Sequence, residues 1–318
     1  MHKSSKVLIV GHNDIMENSL ANYLQSQGYK NVFSSSAMRL NALDQAAVRR
    51  FFSKKKPDYV FLSSVRSGGI AANQKFPAEF IYENMESQNH VIDAAYQMGC
   101  KKLLYLTGSC AYPKESPQPI KEEYLLTGAL EPTSEPYSIA KIAGTKLCQS
   151  YRKQYGFNAI VAVPTTVYGP GADTDLETAH VIGALIGRFY QAVAEGHREV
   201  VIWGSGRPRR EFLYVDDFVN ACLFLMKHYN EREMINVGCG YDVSIRELAR
   251  LIGEVSGFKG RIVFDRSQPD GTMRKLMDNS RLKGLGWQPK VSLKEGIARM
   301  YEWYRHQQKG GERWKKIF

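Results

Sequence analysis

Among the 318 residues, no run approaches the roughly 18 consecutive apolar residues of a membrane-spanning helix. The N-terminal MHKSSKVLIV passes straight into a strand-like run, without the apolar core and cleavage site of a secretory leader. Cysteine is sparse. Cys100, Cys110, Cys148, Cys222 and Cys239 are odd in number and include no CxxC pair. That pattern argues against a disulfide framework or a zinc site, and a reducing cytoplasm is the expected location. No metal site is expected. The net charge is +11, yet no helix-turn-helix, RNP or zinc-finger pattern accompanies it. The excess of base is read as lysines on solvated faces, with a few arginines serving a phosphorylated small molecule. Neither nucleic acid nor membrane is an expected partner. Internal repeats and low-complexity segments are also absent.

What is present is ordinary for a globular chain: 43% apolar and 24% charged residues, at a length that allows a sizeable core. Short apolar runs alternate with helical periods. KVLIVG, NVFSSS, DYVFLSS and KKLLYLTGSC read as strands, and DQAAVRRFFSKKKP and FPAEFIYENMESQNHVIDAAYQMGC as helices. Runs such as YVFL and LLYL suit strands buried on both faces. The pattern predicts an α/β fold, a doubly wound parallel (Rossmann) sheet with a smaller C-terminal α/β substrate lobe. The first domain is expected over 1–165, rejoined by a helix and strand at about 212–240. The lobe is expected over 166–211 and 241–308, with a basic tail over 309–318.

In YSIAK, Tyr137 and Lys141 stand four apart and share one helical face. A lysine ammonium beside a phenol favours its ionised form, so the tyrosine can pass a proton to or from a carbonyl oxygen. The text around this pair is more specific. PIKEEYLLTGALEPTSEPYSIAKIAGTKLCQSYRKQYG, HVIGALIGRF, VVIWGSGRPRREFLYVDDF, INVGCG and PDGTMRKLMDNSRLKGLGW all resemble the GDP-L-fucose synthase family of extended short-chain dehydrogenases. The resemblance runs from about Lys6 to Tyr304.

That resemblance implies an enzyme on a GDP-4-keto-6-deoxy-hexose. Carbons 3 and 5 are epimerised through enolates, and carbon 4 is reduced by NADPH. It places proton exchange at carbon on Cys110 and His180, and both chemistries on Tyr137 and Lys141. GDP-sugar contacts fall on Arg188, Trp203, Arg210 and Asp270. Coenzyme contacts fall on Gly11, Leu106, Ser109, Lys141, Pro164 and Val167. A homodimer is implied, built on helices around Glu83–Met98 and Tyr137–Tyr155.

Departures from the family pattern cluster on the coenzyme side. Its first turn, G-x-x-G-x-x-G, keeps Gly11 but carries Asp14 and Glu17 at the later glycines. A carboxylate about 5 Å from the pyrophosphate, at an effective dielectric near 20, opposes binding by roughly 3 kcal/mol. The arginines that clasp the 2′-phosphate fall on Asn13 and Ala37, leaving Arg39 as the nearby substitute. The serine that donates to the substrate carbonyl falls on Gly108, a loss of about 10²–10³ in rate for a donor of this kind. These changes predict retained epimerisation, doubtful NADP(H) binding and impaired reduction. Two alternatives stand beside that expectation: the complete NADPH-dependent epimerase/reductase, and a silent GDP-sugar-binding subunit that pairs with a paralogue.

Overall fold

The computed structural model describes residues 1–12, 15–175, 179–268 and 270–310. Asp14 and the tail from 311 onward lie outside the described residues. Strand and helix alternate as β1 (Lys6–Val10), α1 (Ile15–Ser26), β2 (Asn31–Ser34), α2 (Gln45–Lys55) and β3 (Tyr59–Leu62). Then come α3 (Ile70–Lys75), α4 (Pro77–Gln97), β4 (Lys102–Leu106), α5 (Glu135–Tyr155) and β5 (Ala159–Pro164). The chain continues through β6 (Thr166–Tyr168), α6 (Val181–Ala194), β7 (Glu199–Trp203), β8 (Arg209–Arg210), β9 (Phe212–Tyr214), α7 (Val215–His228) and β10 (Ile235–Val237). It closes with β11 (Val243–Ser244), α8 (Ile245–Ser256), β12 (Arg261–Asp265), β13 (Arg274–Lys275), α9 (Ser280–Gly284) and α10 (Leu293–Gln308).

The main sheet has the order β10-β5-β4-β3-β1-β2, and its pairs are parallel. Its strands are apolar on both faces because both are covered. In β1, Val7 and Ile9 enter one core while Leu8 and Val10 enter the other. α1 and α7 close the first face through Leu20, Leu24, Phe218 and Cys222. α2, α4 and α5 close the second through Val48, Phe52, Val91, Ile92 and Cys148. The chain turns opposite ways beside β1, with β2 on one side and β3 on the other. Such a switch point opens a crevice at the carboxyl ends of the strands. Val10 pairs with Leu62 and Leu62 with Tyr105. Gly11, Ser63, Ser64, Thr107 and Gly108 therefore follow the strands onto one edge.

The second lobe is built on the parallel pair β7 and β12 and the small sheet β11-β8-β13. Along β7, Val200 and Ile202 are buried while Val201 and Trp203 are exposed, the period of a strand with one covered face. α6, α8 and α10 cover it, and their Phe189, Ile252 and Met300 belong to the same core as Val7 and Ile9. α8 begins with a reciprocal Ser244–Glu247 capping box. One apolar core thus runs from the six-stranded sheet into the lobe.

Candidate active site

α5 carries Tyr137 and Lys141, the expected proton-transfer pair. Pro136 sits in its first turn, where its missing N–H breaks no bond, and Gly156 ends it in the left-handed conformation at φ 67°. Lys141 is buried, and its Nζ lies 4.3 Å above the ring centroid of Tyr105. Tyr105 is pinned in turn, donating to Gln88 Oε1 at 2.6 Å while Gln88 Nε2 donates to the Ala140 carbonyl. Tyr137 is half-buried. Its ring meets Phe80 edge-on at 6.0 Å, and its hydroxyl lies 2.7 Å from Ser64 Oγ.

At the end of β4, Gly108 is fully extended (φ −160°, ψ 158°), and Ser109–Ala111 form a 3-10 turn against α5. A Cβ at position 108 would meet only Cys110 Sγ, at 3.5 Å. The site of the missing serine is therefore open, and it borders the thiol. The Cys110 thiol is free and half-buried. Thr107 is buried, and its Oγ1 has no hydrogen-bond partner among the described residues. It follows Leu103 and Tyr105 on the α5 side of the sheet, the face that carries Lys141. Lys275 of β13 is half-buried. Burial lowers its pKa, while Cys110 and Glu131 pull the other way.

His180 caps α6. Its ring reaches solvent, yet protein crowds it closely enough that burial lowers its pKa, with Asp173 opposing. No hydrogen bond joins His180 to Cys110 among the described residues, and residues 176–178 before it are not described. The structure thus packs α5, with Tyr137 and Lys141, against the turn that carries Cys110, and leaves His180 at the start of α6.

The residues expected to contact substrate lie in the second lobe. Arg188 donates to the Val201 carbonyl at 2.8 Å, and its guanidinium stands 5.6 Å from the ring centroid of Trp203. Trp203 is 65% exposed, an open aromatic face rather than core. Asp270 is held by Ser205, whose amide donates at 2.8 Å and hydroxyl at 2.6 Å. Those bonds keep its carboxyl below the usual carboxylate range. Arg210 is half-buried, donates to the Arg209 carbonyl, and has its pKa lowered by burial, with Glu131 opposing.

On the coenzyme side, Gly11 follows β1, and a Cβ there would press on Glu17 Cβ at 3.0 Å. Leu106 and Pro164 end β4 and β5 as buried residues, Ser109 opens the 3-10 turn, and Val167 lies in β6. Arg39 is exposed beyond β2, with φ 51°. Glu17 does not point into the crevice. It is fully buried, and its carboxylate accepts from Ser35 Oγ (3.0 Å), the Ser36 amide (3.0 Å) and Ser36 Oγ (2.6 Å).

Residues 7–238 match the NAD dependent epimerase/dehydratase family. Over 302 residues the chain is 50% identical to GDP-L-fucose synthase 1 of Arabidopsis thaliana, covering 95% of this chain and 94% of that one. Over 312 residues it is 45% identical to GDP-L-fucose synthase of Escherichia coli K12, covering 95% and 97%. The chain belongs to the GDP-L-fucose synthase family. A solved GDP-mannoheptose C4 reductase from Campylobacter jejuni, with NADP bound, shares the fold at TM-score 0.89 and 37% identity, covering 96% of this chain and 99% of that one.

Family membership and geometry together correct the expectation of a damaged coenzyme site. The argument against binding put carboxylates in the pyrophosphate's path, but Glu17 is turned inward and tied to the end of β2. Asp14 lies outside the described residues. The crevice at the switch point and the unsatisfied Thr107 hydroxyl fit a dinucleotide there. Gly108 is the change on this side that the structure leaves uncompensated within β4.

Proposed function

We propose that this chain epimerises a GDP-4-keto-6-deoxy-hexose at carbons 3 and 5 and then reduces its carbon-4 ketone. The observation that carries the reading is that α5, with Tyr137 and Lys141, packs against the turn holding Cys110 at the end of β4, with Lys141 buried over Tyr105. Deprotonation beside a ketone needs a base at carbon and a donor at the carbonyl oxygen. Cys110 and His180 serve as the carbon acid and base. Tyr137, with Lys141 beneath it, holds and protonates the oxygen. Arg188, Arg210 and Asp270 bind and orient the GDP portion, with Trp203 offering its ring. Gly11, Arg39, Leu106, Ser109, Lys141, Pro164 and Val167 hold the nicotinamide coenzyme, which when bound supplies hydride to the ketone. NADP is the coenzyme carried by the Campylobacter jejuni reductase. The exposed Tyr82, Met98, Ile139 and Tyr155 on and beside α4 and α5 support a homodimer through those helices.

The test is conversion of GDP-4-keto-6-deoxy-mannose by the purified chain, with and without NADPH or NADH, followed by NMR of the sugar. Reduction to a GDP-6-deoxy-hexose epimerised at both carbons is the expected result. A narrower reading, epimerisation alone, draws on the bare position 108. Solvent deuterium entering the sugar while the ketone persists with either coenzyme would select it. No exchange and no reduction would overturn both.

A further inference from the structure

We infer that Ser64, just beyond β3, is the positioning residue for Tyr137, a hydroxyl at a sheet edge where position 108, just beyond β4, has none. The inference rests on the proton-transfer role given to Tyr137 above. Ser64 lies just beyond the end of β3, buried at 5% exposure, and its Oγ is 2.7 Å from the Tyr137 hydroxyl. Either oxygen can donate in the resting site. The two residues are 73 positions apart, so the contact is made by the approach of α5 to the sheet edge and not by local chain geometry.

The segment that carries Ser64 is clamped. Asn84 of α4 is buried, and its Oδ1 accepts from the amides of Val65 and Arg66 at 3.2 and 3.3 Å. Its Nδ2 donates to the carbonyls of Arg66 and Phe80 at 2.9 and 2.8 Å. Phe80, one turn earlier, packs edge-on against the Tyr137 ring. One buried amide side chain therefore fixes both the segment beside Ser64 and the helix that buttresses Tyr137. A hydroxyl held this firmly needs no reorganisation when charge develops beside it.

The chemistry gives the hydroxyl a task. When Tyr137 passes its proton to the carbonyl oxygen, an O–H bond forms on the substrate, the phenol O–H breaks and a phenolate is left. In reduction, a bound reduced nicotinamide would supply hydride to the ketone carbon and be oxidised, and the substrate would leave as an alcohol. In epimerisation, the carbon-bound proton leaves to Cys110 or His180, and its electron pair becomes the enol double bond. In both, the Ser64 O–H donates to the phenolate and keeps its own proton. A donor to a developing anion is worth more than the same bond between neutral groups.

Position 108 supplies the control. A Cβ there meets only Cys110 Sγ, at ordinary contact distance, in extended backbone that any residue adopts. Gly108→Ser can therefore restore a hydroxyl at the other strand end without strain. The experiment compares wild type, Ser64→Ala, Ser64→Thr, Gly108→Ser and the double variant Ser64→Ala/Gly108→Ser. Its three readouts are coenzyme-free deuterium uptake into GDP-4-keto-6-deoxy-mannose, the rate of reduction, and titration of Tyr137 in the ligand-free chain. The titration uses ¹³C-labelled tyrosine, with the Tyr137 signal assigned by its absence in Tyr137→Phe.

Ser64→Ala should slow exchange and reduction together by about 10–10²-fold and move the Tyr137 titration upward by about one pH unit. Ser64→Thr should restore both, and Gly108→Ser should recover much of the lost rate in the double variant. Unchanged rates and titration in Ser64→Ala would overturn the inference. So would a loss that neither Thr nor Gly108→Ser repairs and that follows the melting temperature instead. If wild type itself neither exchanges nor reduces, the functional reading fails, while the ligand-free titration still decides whether Ser64 acts on Tyr137.

Discussion

The Lys141 ammonium is stacked over the ring of Tyr105 at 4.3 Å, and the Tyr105 hydroxyl is tied to Gln88. The ring's negative face offsets part of the desolvation of a buried cation. Tyr105→Phe keeps that face and breaks the tie, so it should lower stability by about 1–3 kcal/mol with little change in turnover. Tyr105→Leu should lose turnover as well. Lys141→Met should reduce both exchange and reduction by about 10² or more while the chain stays folded. Urea unfolding alongside initial rates separates these outcomes.

Glu17 holds the end of β2 through three bonds to Ser35 and Ser36. Glu17→Ala leaves those donors without their acceptor inside the fold. It should cost about 2–3 kcal/mol, read from the urea midpoint at constant slope. A variant as stable as wild type would show that the buried carboxylate contributes nothing net to the turn.

On the proposed function, Trp203 and the Asp270–Ser205 pair test GDP binding apart from the chemistry. Trp203 supports little of the core, so Trp203→Ala should leave the melting temperature unchanged and weaken GDP about tenfold, the loss of one stacking contact. Ser205→Ala frees the Asp270 carboxylate to swing. It should raise KM with kcat unchanged, the signature of binding lost equally in ground and transition states. Calorimetry with GDP and steady-state kinetics check the two.

His180 sets an acid limit. Burial makes the folded chain bind a proton at this ring less readily than the unfolded chain does. The stability tied to the group is therefore fully present above the ordinary histidine pKa. It is lost as pH falls through that value toward the lower, folded one. The neutral ring likewise persists to lower pH, so the acid limb of coenzyme-free exchange should lie below the ordinary histidine value of 6.5. A limb at or above that value that disappears in His180→Gln would contradict this placement.

The sheet and the catalytic helix were legible because their signals are local. Alternating apolar runs mark strands covered on both faces, and Tyr137 and Lys141 announce a shared helical face through a spacing of four. The return of α7 and β10 to the first sheet was likewise readable from one more helix-and-strand period. The direction of Glu17 was not. A sequence position says that a glycine has gone, not where the new side chain turns. The available signal was the serine run Ser34–Ser36 that ends β2 and follows it, hydroxyl-bearing residues at the point where an inward carboxylate would need donors. Ser64 was missed for a related reason. Its partner arrives from a helix far along the chain, and the serine pair ending DYVFLSS has no periodic or motif value. Lys275 escaped because nothing in RKL marks a lysine that tertiary packing buries.

The outermost strand beside β5 is β10, laid down only after the chain has passed through β7 and β8 of the substrate lobe. A fragment ending near residue 165 would leave the hydrogen-bonding edge of β5 bare and its α7-facing side wet, a template for sticking to other chains. The two halves are thus poor candidates for separate production. Synthesis on the ribosome leaves the first sheet incomplete until more than two-thirds of the polypeptide has emerged.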